Sequence, residues 1–193
     1  MRNKLSVVII SKNEEEFIAD AVKSALFADE VLVLDSGSID ATCEIAQNLG
    51  AKVLYQDWLG FGAQKNKAVE LAKNDWVFVL DSDERITDEL QLEILNTLKN
   101  PTAEGYHTAR LNNFFGKNIR HCGLYPDYSI RLFNKSKSKF NEVSVHESVQ
   151  VKGTTAKLKN HMIHLAFNTV SEFTDKQKNY AELSQKNKNL FKA

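Results

Sequence analysis

Asp81-Ser82-Asp83 stands directly after the apolar run Trp76-Val77-Phe78-Val79-Leu80. Ionised carboxylates are rarely buried without a partner, so the end of that run must open onto water, a metal or a ligand. Two carboxylates one residue apart suit a divalent cation better than they suit packing. A surface turn beside a helix cap would explain one such motif equally well. The pattern repeats, however. Ser11-Lys12-Asn13-Glu14 follows Val7-Val8-Ile9-Ile10, and Asp35-Ser36-Gly37-Ser38 follows Val31-Leu32-Val33-Leu34. Clustered carboxylates facing a cleft would repel a phosphate, and a divalent metal resolves that conflict. All-oxygen ligation fits Mg or Mn better than Zn. The chain has no G-x-x-x-x-G-K-[ST] loop, and no G-x-G-x-x-G opens its first helix. Neither a P-loop hydrolase nor a dinucleotide site is therefore indicated. A metal without a phosphate-cradling glycine loop implies that the metal grips a diphosphate and stabilises a departing nucleotide.

The elements that must position these residues alternate in the first half. Strands are expected at 5–10, 30–35, 51–56 and 75–80, and helices at 15–27, 40–49, 63–73 and 88–98. The first helix carries Phe17, Ile18, Ala21, Val22, Ala25 and Leu26 on one face. Gly50 suits a left-handed C-terminal cap. Thr87 is placed to cap the fourth helix, with Asp88 and Glu89 where the helix dipole favours them. Such alternation gives a mostly parallel sheet with helices on both faces, and ligands bind beyond its carboxyl edge. The second half reads as short strands at 104–111, 117–121, 128–134, 143–151 and 156–165. A capping box, Thr169-Val170-Ser171-Glu172, opens a final helix reaching about Leu190. Val170, Phe173, Tyr180 and Leu183 form its apolar stripe, and Lys176, Lys178, Lys186 and Lys188 make it basic.

The chain has 193 residues, which favours one domain, 1–193, with a nucleotide-binding half to residue 100 and a β-rich half from 101. Its formal net charge is zero, so nothing in the overall balance points to nucleic acid. Cys43 and Cys122 have no C-x-x-C spacing, which argues against a disulfide framework or structural zinc and suits a reducing compartment. The apolar run at the start is too short for a signal peptide or membrane span.

Four segments together carry a resemblance: Ser6–Glu14, the run Leu34-Asp35-Ser36-Gly37-Ser38-Ile39-Asp40-Ala41-Thr42, Gln64-Lys65-Asn66, and Leu80-Asp81-Ser82-Asp83-Glu84. In order and spacing they resemble the inverting family 2 glycosyltransferases of the GT-A fold. Tyr125-Pro126-Asp127, Arg131-Leu132-Phe133 and Val145-His146-Glu147 further resemble bacterial enzymes that add glucose to the heptose of the lipopolysaccharide inner core. The resemblance implies a UDP-sugar donor, with Ser11, Asn13, Glu14, Asp35, Gln64, Lys65, Asp81 and Ser82 around it. Asp35 would accept from the uracil N–H, unless it only caps the segment after Gly37. Lys65 would face the diphosphate, unless it lies on a solvated helix face. Asp83 would bind the metal, Asp81 the metal or the donor ribose, and His164 would be a late metal ligand, unless it is only a hydrogen-bonded strand histidine.

Inverting transfer needs a base to take the acceptor proton. Glu147, breaking an apolar alternation, is preferred, with Asp127 after Pro126 as the alternative. The implied acceptor is a lipid-linked glycan, with peripheral contact at the cytoplasmic face of the bacterial inner membrane. The basic terminal helix would supply that contact. The resemblance also implies further apolar segments beyond residue 193, so a truncated or minimal member is expected. Two rivals remain. A phosphotransferase of the haloacid dehalogenase type also carries D-x-D after a buried strand, although Arg85 stands where that family has Thr or Val. A non-catalytic nucleotide-sugar-binding module would keep Asp35 and Asp83 without needing Glu147.

Overall fold

The computed structural model describes residues 1–141, 147–167 and 174. Four strands, β1 (Leu5–Ser11), β2 (Glu30–Asp35), β3 (Lys52–Tyr55) and β4 (Trp76–Asp81), pair in parallel. Their side chains alternate between two cores. Leu5, Val7, Ile9, Val33, Phe78 and Leu80 pack beneath α1 (Ile18–Ala25), α2 (Thr42–Asn48) and α4 (Asp88–Thr97). Val8, Ile10, Leu32, Leu34, Val77 and Val79 pack on the other face, against α3 (Phe61–Leu71). Both faces are covered, which explains why these strands read as unbroken apolar runs. Gly50 takes the left-handed conformation expected of it, and the Thr87 side chain accepts from the Leu90 N–H. The first helix is shorter than expected and stops at Ala25, leaving Leu26 half exposed.

The second half adds β5 (Glu84–Ile86), β6 (Gly105–Phe114), β7 (Lys117–Asn118), β8 (Asp127–Asn134) and β11 (Thr155–Phe167) to the same sheet. A separate pair, β9 (Ser138–Phe140) with β10 (Val149–Val151), lies apart from it. The main pairing order is β3-β2-β1-β4-β8-β6-β11-β5. Only Ser82 and Asp83 separate β4 from β5 in sequence, yet β5 pairs with β11 at the far end of that order. The sheet must therefore curl, so that its last strand returns to the carboxyl end of β4. The fold is GT-A-like: a mixed α/β sheet, parallel where the first half builds it and largely antiparallel in the curl.

Further details differ from the sequence expectation. The strand expected at 117–121 ends at Asn118, although the Ile119 N–H still donates to the Asn112 carbonyl in line with the ladder. The three-residue strands β5 and β9 are too short to leave a periodic signal. Of the strand expected at 143–151, only Val149–Val151 is seen among the described residues, and it is outside the main sheet. The expected terminal helix, 169–190, lies outside the described residues.

Candidate active site

Asp35 closes β2 and is 3% exposed. Its Oδ2 accepts from the Gly37 and Ser38 N–H groups, both at 2.8 Å. Its Oδ1 accepts from the Ser11 hydroxyl at 3.1 Å and also from the Ser38 hydroxyl. Burial pushes this carboxyl up, and these hydrogen bonds more than reverse it, holding it below the usual carboxylate range. A carboxylate offers about four acceptor positions, and this one fills them from its own loop and from Ser11 at the end of β1. A uracil N–H would have to displace one of the two hydroxyls.

Neighbouring residues tie this loop to the one after β1. Asn13 sits at φ 55°, donates its N–H to the Ser38 hydroxyl and accepts from the Ile39 N–H. The Glu14 N–H donates to Thr42 Oγ1 at 2.7 Å. Gln64 is fully buried, donating to Ser36 Oγ at 2.9 Å and accepting from the Leu59 N–H. Gln64 thus shapes the loop before α3, and its amide is turned inward.

Lys65, on α3, is 5% exposed, which removes the solvated-face reading. Its ammonium reaches Asp81 Oδ1 at 2.9 Å and Glu147 Oε1 at 2.8 Å. Asp81 Oδ2 faces the Arg131 guanidinium at 3.1 Å. Burial pushes the Asp81 carboxyl up, but Arg131 and Lys65 outweigh it and hold the group far below its ordinary range. Arg131 also bonds Glu84 Oε1 at 2.6 Å, and Glu84 has no exposed surface. Arg110 continues the series, 3.8 Å from Glu84 and 2.5 Å from Asp127 Oδ2. Alternating charges thus run Glu147, Lys65, Asp81, Arg131, Glu84, Arg110, Asp127. The two candidate bases stand at its two ends. The structure places Asp81 between two cations, where the sequence reading had it on a metal or the donor ribose.

Asp83 lies on the turn between β4 and β5, and its carbonyl accepts from the Leu165 N–H of β11. Its Oδ2 is 3.3 Å from His164 Nε2. His164 Nδ1 is 2.7 Å from Asn112 Oδ1, and Asn112 Nδ2 donates to the Leu124 carbonyl. The Asn112 amide is thereby oriented with its oxygen toward the ring, so Nδ1 carries the proton. In the neutral imidazole, the Nε2 lone pair then faces a carboxylate oxygen. Two acceptors in that relation need a proton or a cation between them. Among the described residues, no three His, Cys, Asp or Glu side chains form a metal cage. Asp83 and His164 therefore fit a cation that takes further ligands from a phosphate, as Mg²⁺ and similar ions do. Ser82, buried beside them, gives its carbonyl to Arg85 at 2.7 Å.

Sequence reasoning did not assign Glu84, Arg110, Arg131 or Asn112 to the site. Arg110 and Asn112 share a strand face with Thr108, and Arg131 shares one with Asp127 and Ser129, so no lone polar residue in an apolar face marked them. The register that joins them, Arg110 opposite Asp127 for instance, becomes visible only once β6 and β8 pair.

The lipopolysaccharide core biosynthesis glycosyltransferase LpsC of Rhizobium meliloti is 27% identical over 188 residues, covering 93% of this chain and 69% of that protein. An uncharacterized glycosyltransferase of Rickettsia bellii is 36% identical over 156 residues, covering 77% of this chain and 53% of that one. The chain thus spans about half the length of the Rickettsia relatives it matches. Among solved structures, S. aureus TarS 1-349 in complex with UDP-GlcNAc superposes with a TM-score of 0.62 at 17% identity, covering 86% of this chain and 59% of that one. At that identity the likeness speaks for the fold. The profile of glycosyl transferase family 2 matches residues 6–150, a span holding the three acid-bearing loops, Lys65 and both candidate bases. That match sets aside the phosphotransferase reading: the chain belongs to glycosyltransferase family 2.

Proposed function

We propose that the chain moves a sugar, glucose in our reading, from a UDP-sugar to a lipid-linked glycan of the lipopolysaccharide inner core, with inversion. The observation that carries this reading is the Asp83–His164 pair, aligned by Asn112. These two residues would hold Mg or Mn. A divalent cation there would offset the diphosphate charge as UDP departs. Lys65 lies within reach of the same region and would add a second positive charge. The Ser11–Glu14 and Asp35–Ser38 loops would form the nucleotide rim.

Glu147 takes the acceptor proton in this reading. Its carboxylate is the less exposed of the two candidates, at 18% against 44% for Asp127. Asp127 is gripped through one oxygen by both Nε and Nη2 of Arg110, while Glu147 meets the single ammonium of Lys65. The printed name of LpsC supports the lipopolysaccharide assignment, and the TarS complex supports a UDP-linked donor. No helix among the described residues is long and apolar enough to cross a membrane. The membrane contact we propose is peripheral, at the cytoplasmic face.

Titration calorimetry of UDP with and without Mn tests the central assignment. Asp83→Ala should abolish the Mn-dependent part of UDP binding together with transfer. Unchanged UDP affinity in Mn, with activity intact, would remove the metal role.

A further inference from the structure

The hairpin between β6 and β7 turns through Phe115 and Gly116, at φ 54° and 78°. Phe114 faces Lys117 across the ladder, and Asn113 faces Asn118. A two-residue loop with both central residues left-handed is a type I′ turn, which favours Asn-Gly or Asp-Gly. A bulky aromatic at positive φ is disfavoured there. Burial does not compensate for it, because Phe115 is 45% exposed. The ring leans on Phe114, with centroids 6.4 Å apart.

The segment that follows is exposed through Lys117, Arg120, His121 and Leu124, with Arg120 over the Tyr125 ring at 5.2 Å. No Asp or Glu occurs between Glu104 and Asp127. Another exposed apolar group, Tyr55, Trp58, Leu59 and Phe61, differs in charge: it contains Asp57 and no Lys or Arg between Lys52 and Lys65. The two patches therefore select different partners. Only the hairpin complements an anionic surface.

Its position matters as much as its charge. Phe115 lies three residues beyond Asn112, the residue that aligns His164. Extended strand advances about 3.3 Å per residue, so roughly 10 Å of strand separates the tip from Asn112.

We propose that the Phe115 hairpin docks the protein on an anionic lipid surface. Phe115 and Leu124 enter the interfacial layer, and Lys117 and Arg120 meet headgroup phosphates. Aromatic rings favour that layer. Each cation near an anionic surface adds about fivefold in affinity. The inference rests on the lipid-linked acceptor proposed above and gives it a place: the docked hairpin brings the glycan of such an acceptor to the edge where Asp83 and His164 stand.

Co-sedimentation of the 193-residue chain with vesicles tests this, using phosphatidylcholine alone and phosphatidylcholine mixed with phosphatidylglycerol. Phe115→Asn creates the preferred Asn-Gly turn, so the fold is kept or strengthened while the aromatic is lost. Affinity for the mixed vesicles should fall roughly tenfold. Lys117→Gln with Arg120→Gln should lower it about 25-fold. UDP affinity should stay unchanged in both. Wild-type vesicle affinity in Phe115→Asn would overturn the proposal. So would equal binding of the wild type to vesicles without phosphatidylglycerol, or retention of a detached glycan through this hairpin with no vesicle binding. Hairpin-dependent vesicle binding without transfer to any lipid-linked glycan would support docking and remove the acceptor reading instead.

Discussion

Asp35 and Asp81 both close apolar strands of the parallel part of one sheet, and the protein satisfies them by opposite means. Asp35 takes its partners from Ser11, Gly37 and Ser38, neutral donors in its own loop and the adjacent one. Asp81 takes two full cations, Lys65 from α3 and Arg131 from β8, fifty positions away. The first arrangement is a local turn that would form around almost any neighbour. The second exists only when the curled half closes over β4. The comparison teaches that the proposed donor side is preorganised by neutral backbone and hydroxyl donors, whereas the proposed transfer side is held by charges brought from α3 and from the strands of the curl.

The sharpest way to probe the transfer side is to neutralise one end of its charge series. Glu147→Gln should retain UDP binding and lose turnover by on the order of 10²–10⁴-fold, read as kcat in steady-state assays. If Asp127→Asn shows that pattern and Glu147→Gln does not, the two carboxylates exchange roles. Breaking the middle of the series tests its structural half. Arg131→Ala leaves Glu84 buried without its main partner and should cost about 3–5 kcal/mol in urea unfolding. Adding Glu84→Gln should restore part of that loss. Additive losses would mean that the two residues are not coupled.

The smallest effects are expected on the donor side, where they separate the two readings of Asp35. Asp35→Asn should weaken UDP by about 1.5–3 kcal/mol. A loss confined to uridine nucleotides would mean that the carboxylate reads the base, and equal losses for UDP, CDP and GDP would mean that it only shapes the loop. The same variant has a pH signature. The folded-state pKa of Asp35 is depressed, so its stabilisation is complete above the unfolded value of about 3.9 and fades as pH falls through the folded one. Asp35→Asn should therefore flatten the acid limb of the stability profile below about pH 4, followed by chemical denaturation across pH.

The same contrast decides what the sequence could tell. The β1, β2 and β4 runs, the Gly50 terminus and the Thr87 cap are local in sequence, and each is found where its residues place it. The acid-bearing loops were legible for that reason. Lys65 was legible as a candidate but its burial was not, because α3 becomes an inner helix only when Phe140 and Glu147 pack over it. Arg131 stood in a quoted motif without a role. Its role depends on β8 running antiparallel beside β4, with Leu132 opposite Phe78, and nothing near residue 131 states that register. Glu84 was hidden by the same rule, since an acid after Asp83 reads as one more solvated charge until β5 turns it inward.

One hydrogen bond, from the Leu165 N–H to the Asp83 carbonyl, sets an order of assembly. A chain made from its N-terminus has the Asp35 loop complete once residue 42 is in place, through partners 24 to 28 positions apart. The Asp83 turn is made early but acquires its clamp and its imidazole only with β11, since His164 and Leu165 both belong to that strand. Long-range pairings of this kind are late in folding because loop closure precedes their reward. The nascent protein thus has its proposed nucleotide rim well before its candidate metal pair. In the reading proposed above, it gains the means to act on a donor only when the curl is closed.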